Sequence, residues 1–156
     1  MAKIPSHKVK AGDDFELNLT VTNKSSPEAI AAETAVIQAQ ADYDEAIEAD
    51  PQVPGDITAA ETALADAKEA YALAIIVDIT EWDIASSMDW CGRDISVFTV
   101  TKTEATVGKF QLTAVPAVTT LWKPRTYDAD VQFTIDGKKR SSSTFNLIVE
   151  RDVTNE

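Results

Sequence analysis

The chain has 156 residues, 44% of them apolar and 26% charged, with a formal net charge of −12. This is the composition of one globular domain with a core of its own, and it excludes both a disordered chain and a pair of ordinary domains. Cys91 is the single cysteine, so no internal disulfide is possible; the start MAKIPSHKVK does not read as a signal peptide, and no apolar run approaches the roughly eighteen residues of a membrane span.

In chain order, the first residues form a polar, basic arm in which His7 is expected on the surface. Phe15, Leu17, Leu19 and Val21 then alternate with Glu16, Asn18, Thr20 and Thr22, the period-two pattern of a half-buried strand. Ser26-Pro27-Glu28 reads as a helix start, with a capping hydroxyl, a proline at the first helical position and an acid near the positive end of the helix. From there Ala29, Ala32, Val36, Ala39, Tyr43 and Ala46 recur at spacings of three and four. Asp50-Pro51-Gln52-Val53-Pro54-Gly55 forbids a continuous helix. Asp56 or Thr58 is the expected cap of a second helix, whose Ile57, Ala60, Leu64, Ala67, Tyr71 and Ala74 repeat the spacing.

Both stripes are narrow, as in a coiled coil, and both are rich in alanine. The two segments are also related: Ala32-Glu33-Thr34-Ala35-Val36 aligns with Ala60-Glu61-Thr62-Ala63-Leu64 at an offset of 28 positions, four heptads. The short connection predicts an antiparallel hairpin of roughly 30 Å, confined to residues 27–75. Ile30, Ile37 and Ile47 fall off its main stripe and are candidates for docking a partner.

After the hairpin, Ile76 to Ile79 is expected as a short strand. Ile84 to Met88, Ile95 to Thr101, Lys109 to Thr113, Tyr127 to Ile135 and Thr144 to Val149 follow, divided by Cys91-Gly92, Val107-Gly108, Lys123-Pro124 and Asp136-Gly137. Asp136-Gly137 is expected to turn the strand of Val131, Phe133 and Ile135 directly into that of Phe145, Leu147 and Val149. Tyr127, Val131 and Phe133 are expected to face the core or to lie on a strand's packed face. The expected fold is mainly β: an antiparallel immunoglobulin-like sandwich of residues 1–26 and 76–156, interrupted by the helical hairpin.

Charge follows the same division. Residues 27–81 hold thirteen acids against one cation, Lys68, whereas the flanks are nearly neutral. That surface repels a phosphate backbone and argues against nucleic-acid binding. Catalytic constellations are missing. One histidine and one cysteine assemble neither a zinc site nor a second nucleophile pair beyond His7 and Cys91. Asp13-Asp14, Asp42, Asp44, Glu45 and Glu48 lack the glycine-bearing loop of an EF-hand and read as solvated acids. No phosphate-binding glycine loop occurs. No catalytic residue, cofactor or metal is expected, and the protein reads as a non-enzyme. Trp82, Trp90 and Trp122 are expected in the core, with exposed anchors for a partner or sugar platforms as the alternatives, and Cys91 as a buried or idle thiol. Lys138-Lys139-Arg140 reads as a loop tip.

With the hairpin removed, the order of segments is Lys10-Ala11-Gly12-Asp13-Asp14, an alternating strand, then Val77-Asp78-Ile79-Thr80. Gly108-Lys109-Phe110-Gln111-Leu112, Ala117-Val118-Thr119-Thr120-Leu121, Tyr127-Asp128-Ala129-Asp130-Val131-Gln132 and a closing Asp152-Val153-Thr154 follow. This order resembles the immunoglobulin-like N-terminal domain of bacteriophage baseplate upper proteins and tail-fibre proteins. The resemblance covers about two thirds of the chain; Glu81-Trp82 departs from it where a glycine usually follows the threonine, and the hairpin interrupts the first connection. It implies a virion structural protein, made in the host cytoplasm and present in symmetric copies, whose partners are other virion proteins and not nucleic acid or membrane. Because the relatives continue into a fibre and this chain stops at Glu156, the expectation is a baseplate or tail-fibre adaptor or collar component. A capsid decoration protein and a carbohydrate-binding module of a host-recognition device are the alternatives.

Overall fold

Alternating apolar residues need a second layer to cover them, and the chain provides it by folding its strands into two sheets. The computed structural model describes residues 6–49, 53–141 and 144–151. Strand outweighs helix, 42% to 35%. The chain divides into two compact units, one of Met1–Thr20 with Asp78–Glu156, the other of Val21–Val77.

Among the described residues the first unit holds nine strands: β1 (Ser6–Lys10), β2 (Phe15–Thr20), β3 (Asp83–Trp90), β4 (Arg93–Val97), β5 (Thr99–Glu104), β6 (Lys109–Ala114), β7 (Arg125–Ile135), β8 (Lys138–Ser141) and β9 (Phe145–Glu150). The larger sheet has the order β1-β9-β7-β3-β4, with β8 also paired to β7, and the smaller has the order β2-β6-β5. The inward rows are those the alternation marks: Phe110, Leu112 and Ala114 of β6, Tyr127, Ala129 and Val131 of β7, and Phe145, Leu147 and Val149 of β9 are all buried. Phe110 of the smaller sheet meets Phe133 of the larger edge-on, with centroids 6.1 Å apart. At the other end Phe15, Phe98 and Trp122 form a three-ring cluster with centroids 5.2–6.1 Å apart.

Several expectations are corrected. The larger sheet is mixed and not purely antiparallel, because β1 runs parallel to β9 with Val9 opposite Val149. The polar alternation of Ser6–Lys10 concealed this strand, whose only buried residue is Val9. His7 is therefore not in a solvated arm; it is half-buried, its ring edge-on to Phe145 at 5.6 Å. Residues 76–79 form no strand, only a single bridge from Ile76 to Thr22. Lys138-Lys139-Arg140 is not a loop tip but the edge strand β8, so Asp136-Gly137 joins β7 to β8 before the chain reaches β9. Charged residues suit such an edge, because they discourage pairing with another chain. Tyr127 and Val131 are buried, and Phe133, half-buried, lies on the packed face of its strand with its ring edge-on to Trp82 and Phe110, as expected. Helix is also not confined to residues 27–75: a 3-10 turn spans Ala105–Val107 and a four-residue helix, α3, spans Pro116–Thr119. Thr119, fully buried, donates its hydroxyl to the Asp13 carbonyl at 2.6 Å and so ties α3 to the β1–β2 turn.

Two tight turns explain two glycines. At Cys91-Gly92 and Asp136-Gly137 both residues have positive φ, 53° and 74° in the first pair, 50° and 74° in the second. A two-residue hairpin needs this backbone twist, which glycine adopts without strain.

The second unit contains α1 (Pro27–Glu48) and α2 (Pro54–Ala74). Ser26 caps α1 through its hydroxyl, which accepts the Ala29 amide at 3.1 Å. Neither Asp56 nor Thr58 caps α2. Its N-cap is Val53, without a side-chain bond, and Thr58 lies a turn inside with its hydroxyl donating to the Pro54 carbonyl. Pro54 starts the helix because its fixed φ and absent N–H suit the first turn. The Thr22–Ile76 bridge and the Asn23 amide on the Ile75 carbonyl at 2.9 Å bring the start of α1 beside the end of α2. With a short connection at the other end, the helices lie antiparallel. On α1 only Gln40 joins Ala29, Ala32, Val36, Ala39, Tyr43 and Ala46 in being less than exposed; on α2 the covered positions are Ile57, Ala60, Leu64, Ala67, Tyr71 and Ala74. The narrow stripe is the packed seam.

Candidate functional site

Among the described residues, no three histidine, cysteine, aspartate or glutamate side chains gather as a metal ion would require. The reason on α1 is visible: its acids are strung along a helix, and Asp42 and Asp44 accept the amides of Gln38 and Gln40 one turn back at 2.8 and 2.9 Å. The carboxylates with altered acidity are at the surface. Asp78 is held below the ordinary carboxylate range by accepting the Thr80 hydroxyl and amide. Glu150 is held below it by its 2.7 Å hydrogen bond and ion pair with Lys8, whose own pKa rises for the same reason. Glu150 lines a groove of about 290 Å³ with Lys8, Val9, Lys10, Asp13 and Asp14. Cys91 is exposed in its turn and is not a buried thiol. No described helix is long and apolar enough to cross a membrane.

Of the exposed large apolar side chains, which also include Val53, Leu73, Val97 and Val115, two groups bear on docking. The first is the outer face of α1. Ile30 is 53% and Ile37 66% exposed. Seven residues apart, they sit about 10.5 Å along the helix on nearly one line, which continues through Ala41 to Glu48. Glu33 and Asp44 lie to one side of that line and are exposed. The seam is packed on the far side, so these isoleucines take no part in joining the helices. Ile47, 39% exposed, lies about 80° round the helix from Ile37, beside the seam. The structure thus groups Ile30 with Ile37 and sets Ile47 apart.

The second lies in the strand unit. The three tryptophans, alike in sequence, separate here: Trp122 is buried, Trp82 is half-buried against the Phe133 ring, and Trp90 is 44% exposed. The Arg125 guanidinium lies 4.2 Å from the centre of the Trp90 ring, a cation–π stack. Trp90, Arg93, Ile95, Leu121, Lys123 and Arg125 line a cleft of about 240 Å³. Tyr127 closes its floor, buried, its hydroxyl donating to the Lys123 carbonyl at 2.9 Å and accepting the Lys123 amide at 3.1 Å. Leu121 is 77% exposed. Strand alternation sorts the charges, placing Arg93 with Ile95 and Arg125 with Tyr127 while Asp94 and Asp128 take the opposite sides. The lining therefore has three cations and no acid. Among the described residues the ion pairs are Lys8–Glu150 and Lys109–Glu104, so none of these cations is in one. Sequence reasoning missed this cleft because its residues come from two separate stretches, 90–95 and 121–127. The one local signal is Leu121, a large apolar residue beside Trp122 in a turn, where only one of two neighbours can face inward.

No protein-family model matches the chain, and no curated protein matches it in sequence.

Proposed function

We propose that the protein is a non-enzymatic structural subunit of a bacteriophage virion, a baseplate or tail-fibre adaptor or collar component that works by docking to other proteins. The observation that carries the docking reading is the outer face of α1. Two isoleucines stand exposed on a helix whose apolar seam is already filled, and a helix with a second apolar line gains from a groove to place it in.

The virion reading rests on the segment order described above, and the topology supports an immunoglobulin-like arrangement for those segments. In that arrangement β1, β9, β7, β3 and β4 form one sheet, with the first strand parallel to the last. The other sheet holds β2, β6 and β5. Tyr127, early in β7 with its hydroxyl bonded to the backbone four residues upstream, matches the tyrosine corner of such domains. On this reading the hairpin is an insert between the second and third strands. The sugar-platform alternative is weakened by Arg125, which covers one face of Trp90.

The test is incorporation into particles. Ile37→Asp, on an exposed position, should leave the melting temperature of the isolated protein unchanged within about a degree and abolish its incorporation. Normal incorporation of that variant would overturn the docking reading.

A further inference from the structure

The two apolar surfaces are complementary in charge. One is a ridge, Ile30 and Ile37 on a helix with Glu33, Asp44 and Glu48 around them; the other is a cleft of about 240 Å³ whose apolar walls carry Arg93, Lys123 and Arg125. We propose that the cleft of one copy receives the outer face of α1 from a second copy, so that the chain associates head to tail. This rests on the docking reading above and names the partner.

Size, polarity and charge each favour that occupant. The cleft has room for one or two branched side chains, and an isoleucine on a helix presents such a group without the cost of ordering a flexible segment. Trp90, Ile95 and Leu121 supply 44%, 41% and 77% exposed apolar side chains to meet it. The rim cations, in no ion pair among the described residues, would each find a carboxylate on a helix from the segment with thirteen acids and one cation. Opposite fields of this kind steer association and suppress wrong registers. Because ridge and cleft are different surfaces, the contact is heterologous: each copy offers one of each, and the contact repeats, closing a ring where the rotation between copies closes and growing a filament where it does not.

The experiment is sedimentation velocity of the full chain from micromolar to near-millimolar concentration, at low and at high salt. The expected result is a mass that rises with concentration and falls back toward monomer in high salt. Ile37→Asp removes the ridge, and Leu121→Asp with Arg93→Glu removes the cleft; each protein alone should remain monomeric at all concentrations. Mixed, they should give a dimer and stop there, since one good ridge and one good cleft remain between them. A wild-type chain that stays monomeric throughout overturns the self-association. So does an oligomer that survives in either variant, or a mixture that forms nothing. If the wild type is monomeric while Ile37→Asp still blocks incorporation into particles, the docking reading stands and the occupant is a different protein. Incorporation of Ile37→Asp at wild-type level instead removes the docking reading itself.

Discussion

Replacing Tyr127 by phenylalanine removes one oxygen and leaves the ring. That oxygen accepts the Lys123 amide at 3.1 Å and donates to the Lys123 carbonyl at 2.9 Å, from a side chain only 3% exposed. Each such bond contributes about 0.5–1.5 kcal/mol net, so two give an upper figure of about 3 kcal/mol. Lys123 itself is exposed, and water can take over part of its backbone bonding once the hydroxyl is gone. The expected loss is therefore about 1–2 kcal/mol, well short of the about 3–5 kcal/mol for Tyr127→Ala, which also empties the floor of the cleft. Urea unfolding followed by tryptophan fluorescence reads this selectively. Trp82, Trp90 and Trp122 all lie in the strand unit, so the emission reports that unit while circular dichroism at 222 nm follows mainly the helices. With a slope of about 1–2 kcal/mol per molar, the fluorescence midpoint should fall by about 1 M. A loss below about 0.5 kcal/mol would refute the reasoning, because it would mean that the hydroxyl does not hold the turn before β7.

Leu147 of β9 has no exposed surface, so Leu147→Ala should cost about 2–5 kcal/mol in the same fluorescence assay. Cys91 occupies a left-handed turn position that asparagine tolerates better, so Cys91→Asn should match or exceed the wild type's stability; a loss above about 1 kcal/mol would contradict the turn geometry. Glu150 has a lowered folded pKa, so its pairing with Lys8 contributes above the ordinary carboxylate range and is lost as the pH falls through and below that range. Lys8, with a raised pKa, keeps its side of the pair charged down to the range where Glu150 protonates and loses it only in strong alkali. Lys8→Met should return the Glu150 titration, followed by NMR, upward toward an ordinary glutamate, with little change in melting temperature because the pair is at the surface.

The helical hairpin was legible residue by residue. Its seam depends on contacts between positions three and four apart, which local sequence fixes, and the burial of Ala29 through Ala46 and Ile57 through Ala74 follows that spacing. The alternating strands β2, β6, β7 and β9 were legible for the same reason, since period two sorts inner from outer faces. The polar strand β1 was not. Ser6–Lys10 carries one buried apolar residue, and what makes it a strand is the edge of β9, whose partner lies some 140 positions away. Strand β8 was missed likewise, because Lys138–Ser141 has no apolar face and is held by backbone bonds to β7. The fates of the three tryptophans could not be read from their neighbours either. Trp122 is enclosed by rings from Phe15 and Phe98, while Trp90 stands at the open end of its row beside an arginine from β7. Local spacing determines which face a side chain takes, but only the pairing of distant segments decides whether anything covers that face. The basic cleft exists only once β3, β4 and the turn before β7 have been brought together.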